Sequence, residues 1–194
     1  MRTAPLAGLV TLAVGITGFT PETGQQSFTT LDGEAQPFRS EFNADAGKVR
    51  LVMYVSPTCG GCLRGADQSQ KHILDQIDSD DLSVYVVWAP RNGGREEHVE
   101  RVTSLVTDKR ARQYWDEYSS VAGPLDEMLA LTGPCAGTFM LYDRNVRWES
   151  GAPPEALYWE DAHARELNRD GAPQFDAKGF AVRVRELLEG GAIS

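Results

Sequence analysis

The fold is decided by one stretch of sequence, Val49-Arg50-Leu51-Val52-Met53-Tyr54-Val55-Ser56-Pro57-Thr58-Cys59-Gly60-Gly61-Cys62. Its first seven residues are mainly apolar and rich in β-branched side chains, which predicts a buried strand. Ser56-Pro57-Thr58 predicts a turn. From Leu63 onward apolar residues recur at helical spacing, so the two cysteines stand where a strand passes through a turn into a helix.

This position determines the chemistry expected of the two thiols. Unpaired backbone N–H groups and the positive end of the helix dipole lie at the first turn of a helix, and both favour a thiolate at Cys59. Cys62 follows three residues later on the same face, near enough to close a disulfide with Cys59. The pair is therefore predicted to be a reversible dithiol. Half of a metal site and an inert disulfide are the alternatives.

Composition excludes several other functions. The chain has 194 residues, of which 41% are hydrophobic and 24% charged, as is typical of a globular protein whose core needs no disulfide for its stability. The net charge is −9 and no basic stripe offsets it, so we expect no binding to nucleic acid or to an anionic membrane surface. Three cysteines are too few for a disulfide scaffold, and Cys135 is left over if Cys59 and Cys62 pair.

The N-terminus predicts export. Arg2 precedes a short apolar run, residues 6–16, and Gly, Thr and Pro residues follow, which is the order found in an export signal. The run is shorter than the roughly 20 residues that a membrane span needs. We therefore expect residues 1–24 to be a signal peptide or N-terminal anchor. Residues 25–194 would form one domain outside the cytoplasm, periplasmic or secreted, where disulfides persist.

The rest of the chain alternates predicted strands and helices. Further strands are expected at 82–88 and 138–142, and a turn at Asn145 would lead the latter into a short partner at 147–149. Helices are expected at 37–42, 63–77, 96–107, 109–115, 124–131 and 176–189. Residues 20–35 are predicted to be a linker or weak hairpin, and 151–174 to be irregular. This order predicts an α/β fold with right-handed crossover connections.

These segments resemble the thioredoxin-like superfamily. Residues 49–77 are similar to its core strand, redox turn and long helix, 139–148 to its distal hairpin, and 176–189 to its closing helix. The lead-in Phe28-Thr29-Thr30-Leu31-Asp32-Gly33 is similar to exported proteins of the TlpA-like and redoxin type. The resemblance implies a thioredoxin-like α/β fold, with a central mixed β-sheet flanked by helices.

The same resemblance implies an activity. It implies a thiol–disulfide oxidoreductase that needs no organic cofactor and exchanges electrons with a dithiol or disulfide protein partner. In that superfamily the first cysteine attacks and the second resolves, which makes Cys59 the nucleophile and Cys62 the resolving thiol.

Two positions depart from the thioredoxin pattern. Thioredoxins usually have a buried acid six residues before the first cysteine, where this chain has Met53. They also have a cis-proline just before the distal hairpin strand, where Gly137 aligns here, three residues after Pro134. That proline takes part in substrate docking and helps to keep metals off the dithiol, so its absence leaves metal binding open.

A metal-binding or metal-delivery module is the main alternative function. Cys59 and Cys62, with Cys135 as a third sulfur, would suit copper(I), and zinc would want four ligands. Cys135 would reach Cys59 if the loop before the distal hairpin packs beside the redox turn, where it would act as a third thiol or a third ligand. The plainer interpretation of Cys135 is a small buried residue. A further alternative is a non-catalytic binding domain with a vestigial disulfide.

The three histidines differ in their relation to the cysteines. His72 lies ten residues after Cys62, about 15 Å along a helix, and is too far away to share a metal with the pair. His98 lies among glutamates on a predicted surface helix. His163 lies in the region predicted to be irregular, where its spacing does not assign it to the site.

Overall fold

A computed structural model describes residues 27–129, 137–149, 151–167 and 171–191. The predicted export segment, residues 1–24, and Cys135 lie outside these ranges, so the expectations for them remain predictions. Within the described ranges no helix is long and apolar enough to cross a membrane.

A six-stranded mixed sheet organises the fold. In chain order the strands are β1 (Phe28–Thr30), β2 (Val49–Val55), β3 (Leu82–Trp88), β4 (Ala111–Trp115), β5 (Thr138–Tyr142) and β6 (Tyr158–Asp161). They lie side by side in the order β1-β4-β3-β2-β5-β6. The first four of these are parallel, and β5 and β6 complete the sheet with antiparallel pairings.

Helices cover both faces of the sheet. The α-helices are α1 (Phe38–Ala44), α2 (Gly60–Ser69), α3 (Glu96–Val99), α4 (Ala122–Leu129) and α5 (Ala177–Leu188). A π-helical turn, Gln70–Leu74, continues α2, and a 3₁₀ turn, Thr103–Leu105, follows α3. Because helices lie on both faces, β2 and β3 are buried along their whole length, as their apolar sequences predicted.

The alternation of side chains along β2 separates two hydrophobic cores. Leu51 and Met53 point into a core shared with α2 and α5, which also contains Cys59 and Cys62. Val52 and Tyr54 point to the opposite face, into an aromatic core beneath α1 and α4. The cysteine pair therefore belongs to the first core and lies at the end of β2, where the chain leaves the sheet.

Arg50 is the one charged side chain within β2, and it is fully buried. Its guanidinium lies 4.3 Å from the centre of the Phe42 ring and donates hydrogen bonds to the backbone carbonyls of Phe42, Val146 and Asp143. These bonds replace the water that a buried charge loses. Arg50 thereby ties α1 and the segment after β5 to the centre of the sheet.

The predicted helix at 109–115 is wrong, because this segment forms strand β4. It pairs in parallel with β3 on one side and with β1 on the other. The buried Gln113 amide accepts from Trp88 Nε1 and donates to the carbonyls of Thr103 and Val106. Pairing with neighbouring strands overrides the weak local preference for a helix, as is common in short segments. β1 forms for the same reason in a stretch predicted to be a linker or weak hairpin.

The predicted strand partner at 147–149 is also wrong, because β6 is the partner of β5. The backbone of Trp148 is already engaged: its N–H donates to Asn43 Oδ1 at 2.8 Å, and its carbonyl accepts from Asn43 Nδ2 at 2.7 Å. Its indole is buried in the aromatic core. Strand β6 therefore comes from the region predicted to be irregular. The helix predicted at 96–107 is interrupted, and only α3 and the 3₁₀ turn form.

Candidate active site

Cys59 is the N-cap residue of α2. Its backbone is extended, and its Sγ accepts a hydrogen bond from the backbone N–H of Cys62 at 3.4 Å. A sulfur thus takes the place of the side-chain oxygen that usually caps a helix. This geometry confirms the predicted strand–turn–helix setting. It leaves Cys59 at the rim of the core, 7% exposed.

Cys62 lies one helical turn further on and is completely buried. Neither cysteine forms a disulfide in this structure. The Cys62 thiol donates a hydrogen bond to the sulfur of Cys59, so one sulfur carries the proton and the other accepts it. The two sulfurs therefore differ: that of Cys59 is partly accessible, and that of Cys62 is fully buried.

The hydrogen bond between the thiols separates their pKa values. The pKa of Cys59 is lowered to about 5, chiefly by the hydrogen bond from the Cys62 thiol. Burial opposes this shift, while the backbone N–H of Cys62 and the nearby His163 lower the pKa further. The pKa of Cys62 is raised far above its usual range, because its proton is held by Cys59 and its sulfur is buried. At neutral pH Cys59 is the thiolate and Cys62 the thiol.

His163 completes the site, and the sequence did not assign it there. Its Nε2 lies 2.9 Å from Cys59 Sγ and 3.6 Å from Cys62 Sγ, although 104 residues separate His163 from Cys59. It follows directly after β6. The buried Asp161 carboxylate accepts the backbone N–H of His163 at 2.7 Å, which fixes the chain as it leaves the strand.

The other ring nitrogen of His163 is also bonded. Nδ1 lies 3.1 Å from Glu166 Oε2, and the imidazole is only 12% exposed. Burial lowers the pKa of His163, but the Glu166 carboxylate and the Cys59 thiolate outweigh it, and the pKa is raised. The imidazolium Nε2–H then donates to the Cys59 thiolate, an arrangement that stabilises a reactive cysteine.

Two glycines make room for the imidazole. A Cβ added to Gly61 would lie 2.3 Å from Cε1 of the ring, and one added to Gly137 would lie 3.2 Å from its Cδ2. Gly137 has a φ of +139°, a conformation that favours glycine. It is the residue expected at the cis-proline position, and a Cβ there would also lie 3.2 Å from Cys62 Sγ. We call the space between Gly61 and Gly137 the imidazole slot.

Position 53 lacks the buried acid that thioredoxins have, but a buried acid from another strand, Asp161, lies near the cysteine pair. Met53 is buried in the cysteine core, as an apolar residue should be. Asp161, at the end of β6, is fully buried, and its charge contributes to raising the pKa of Cys62. No spacing rule in the sequence indicated this approach, because Asp161 comes from the strand that was not predicted.

The remaining histidines stay away from the pair. His72 lies in the π-helical turn after α2, and His98 accepts the backbone N–H of Arg95 at the start of α3. In the described ranges, Cys59, Cys62 and His163 form the group of potential metal ligands, with the three ligand atoms within 4.8 Å of one another. The site is thus built from the start of α2, the residue before β5 and the residues after β6.

Comparison with known proteins identifies the fold. No family model and no curated protein matches the chain. Among solved structures, a hypothetical protein from Sinorhizobium meliloti superposes with a TM-score of 0.53 at 16% identity, over 80% of this chain and 76% of that one. This chain has a thioredoxin-like fold.

Two further solved structures are similar to the chain at lower TM-scores. A thiol-disulfide isomerase from Corynebacterium glutamicum has a TM-score of 0.49 at 19% identity, over 75% of this chain and 84% of that one. The pneumococcal exposed lipoprotein thioredoxin from Streptococcus pneumoniae has a TM-score of 0.47 at 14% identity, over 74% of this chain and 88% of that one.

The lowered pKa of Cys59 predicts a specific alkylation profile. The rate of modification by iodoacetamide should follow the thiolate and reach half its maximum near pH 5. His163→Ala should move this midpoint upward, because it removes a positive charge and a hydrogen bond from the thiolate. His72→Ala should leave it unchanged. A wild-type midpoint near the ordinary thiol value of 9.0 would contradict this account of the site.

The imidazole slot predicts different effects for the two glycines between the cysteines. Gly61→Ala would place a methyl group inside the His163 ring, displace the imidazole and raise the pKa of Cys59 as His163→Ala does. Gly60→Ala is the matched control, because a Cβ there meets only Arg64 Nη1 at an ordinary 3.4 Å. Both pKa values can be measured by alkylation. Equal behaviour of the two variants would show that His163 does not occupy the slot.

Proposed function

We propose that this protein is a thiol–disulfide oxidoreductase that exchanges disulfides with a protein partner through Cys59 and Cys62. One observation carries the proposal: a Cys59 sulfur at the N-cap of α2, favoured as a thiolate, beside a Cys62 thiol that keeps its proton. The two roles need this difference in protonation, because Cys59 has to be ionised in order to attack, whereas Cys62 keeps its proton until the mixed disulfide has formed. The thioredoxin-like fold supports the assignment and does not by itself determine the activity.

The reaction proceeds in two exchanges. The Cys59 thiolate attacks one sulfur of the partner's disulfide, forming a mixed disulfide and releasing the partner's other sulfur as a thiolate, which takes up a proton. Cys62 then loses its proton and attacks Cys59 Sγ, forming the Cys59–Cys62 disulfide and releasing the partner's second sulfur, which is protonated in turn. The partner gains two electrons and two protons. Both electrons come from the sulfurs of Cys59 and Cys62; one proton comes from Cys62, and because Cys59 reacts as a thiolate, the other comes from the His163 imidazolium or from solvent. The reverse sequence oxidises a partner dithiol.

His163 is the acid–base group in this proposal. In the reduced state its imidazolium is stabilised by the Cys59 thiolate. Once Cys59 is in the mixed disulfide, that charge is gone and the imidazole loses its proton more readily. Its Nε2 lies 3.6 Å from Cys62 Sγ and can then accept the proton that Cys62 must lose before it attacks.

The setting of the reaction follows from the sequence. We propose that residues 1–24 direct export and that residues 25–194 form one domain that works outside the cytoplasm, where disulfides persist. No organic cofactor enters the proposal, because another dithiol protein supplies or accepts the electrons. The net charge of −9 favours neither nucleic acid nor an anionic membrane as a partner.

Two alternatives from the sequence bear on the same cysteines. A metal site of three sulfurs needs Cys135, which lies outside the described residues, and the proposal does not include it. A non-catalytic binding domain would hold Cys59 and Cys62 as a permanent disulfide. Exchange with a model disulfide distinguishes this case from an oxidoreductase.

The activity test uses single cysteine variants. The reduced protein should reduce a model protein disulfide, and Cys59→Ser should abolish the reaction because the nucleophile is lost. Cys62→Ser should accumulate the mixed disulfide, visible by mass spectrometry, because nothing resolves it. After mild oxidation of the wild type, Cys135 alone should react with a thiol label. Exchange that persists in Cys59→Ser, or a wild type that exchanges with no disulfide, would refute the proposed function.

A further inference from the structure

Three potential metal ligands converge in the dithiol site, two soft sulfur atoms and one borderline imidazole nitrogen. Cys59 Sγ, Cys62 Sγ and His163 Nε2 all lie within 4.8 Å of one another, on two separate parts of the chain. We propose that the reduced site binds one copper(I) ion through these three atoms. Because it needs only the free dithiol and the imidazole, this proposal stands independently of the exchange reaction.

The distances fit a shared metal with a small adjustment. Bonds of about 2.3 Å to sulfur and about 2.0 Å to nitrogen place ligand atoms roughly 3.6 Å apart around a tetrahedral ion, and slightly further apart around a trigonal one. Cys62 Sγ and His163 Nε2 already have this separation, at 3.6 Å. Cys59 Sγ lies 2.9 Å from Nε2 and 2.8 Å from the Cys62 sulfur, so it has to move by roughly an ångström to share an ion with them, and it is the ligand at the rim of the core.

The surroundings of His163 match those of a metal-bound histidine. Its Nε2 faces the sulfurs while its Nδ1 is bonded to the Glu166 carboxylate, which fixes the ring orientation and makes Nε2 a better donor to a metal. Gly61 and Gly137 lie close to the ring and leave room for it, because neither has a Cβ. The Asp161 carboxylate fixes the backbone of His163. The third ligand is thus positioned in advance.

The ligand set favours copper(I) over zinc. Thiolates are soft ligands and select copper(I), whereas structural zinc sites want four ligands. No fourth His, Cys, Asp or Glu joins this group in the ranges that the structure describes. Copper(I) would displace the proton of the Cys62 thiol and the Nε2 proton of His163, and both protons would be released to solvent. The two thiolates and the ion then leave a single negative charge, and the positive end of α2 lies beside it.

Copper and the disulfide compete for the same two sulfurs. When Cys59 and Cys62 are joined to each other, neither can serve as a thiolate ligand, so only the reduced protein would hold the ion. Bound copper would in turn block attack by Cys59 on a partner disulfide. The oxidation state of the pair would therefore control metal binding.

The binding test is an anaerobic titration of the reduced full chain with copper(I) against the chelator bathocuproine disulfonate. We expect one ion per chain, and none after oxidation to the Cys59–Cys62 disulfide. His163→Ala should weaken binding at least about tenfold, and Glu166→Gln, an exposed change that should leave the fold intact, about 10–100-fold. His72→Ala should bind as the wild type does.

X-ray absorption of the copper-loaded protein identifies the ligands. The wild type should show two sulfur neighbours and one nitrogen neighbour, and His163→Ala should lose the nitrogen. Equal copper affinity of His163→Ala and the wild type would overturn the assignment, as would a loss of affinity in Cys135→Ser but not in His163→Ala. Stoichiometric zinc binding by a protein that does not retain copper(I) would also overturn it.

Discussion

The hydrogen-bonded pair of Cys59 thiolate and His163 imidazolium is the interaction on which the rest of the site depends. It lies at the start of α2, where unpaired N–H groups already favour a negative charge. The sheet brings the two residues together. Cys59 follows β2 after a short turn, His163 follows β6, and β5 pairs with both of these strands. The second thiol, Cys62, then holds the proton that Cys59 has lost.

The imidazole slot accounts for two glycines of the site, Gly61 and Gly137. Gly137 is the residue expected at the cis-proline position, and Gly61 precedes the second cysteine; a side chain at either one would press on the His163 ring. The acid expected at Met53 is absent, while the buried Asp161 approaches Cys62 from another strand. The side chain that lies over the dithiol in this structure is the His163 imidazole, a group that can donate or accept protons.

The sequence predicted the parts of this structure that depend on local patterns. Strands β2, β3 and β5, helix α5 and the Cys59–Cys62 turn all follow from apolar runs, helical spacing and turn residues. The errors concern segments whose structure depends on distant partners. β4 forms because β3 offers an edge for pairing, and 147–149 is not a strand because Asn43 occupies the backbone of Trp148. His163 was missed for the same reason, since it reaches Cys59 only through β6. The one related signal in the sequence was Gly137, a glycine at the position where a proline was expected.

The equilibrium reduction potential of the Cys59–Cys62 couple reports directly on how strongly the Cys59 thiolate is stabilised. A stabilised Cys59 thiolate favours the reduced state, which makes the disulfide a better oxidant. We predict reversible equilibration with glutathione and a potential above the value of about −270 mV known for thioredoxin, lowered when His163 is replaced by Ala. A couple that does not equilibrate with glutathione or dithiothreitol, or whose potential lies below that of thioredoxin, would contradict the account.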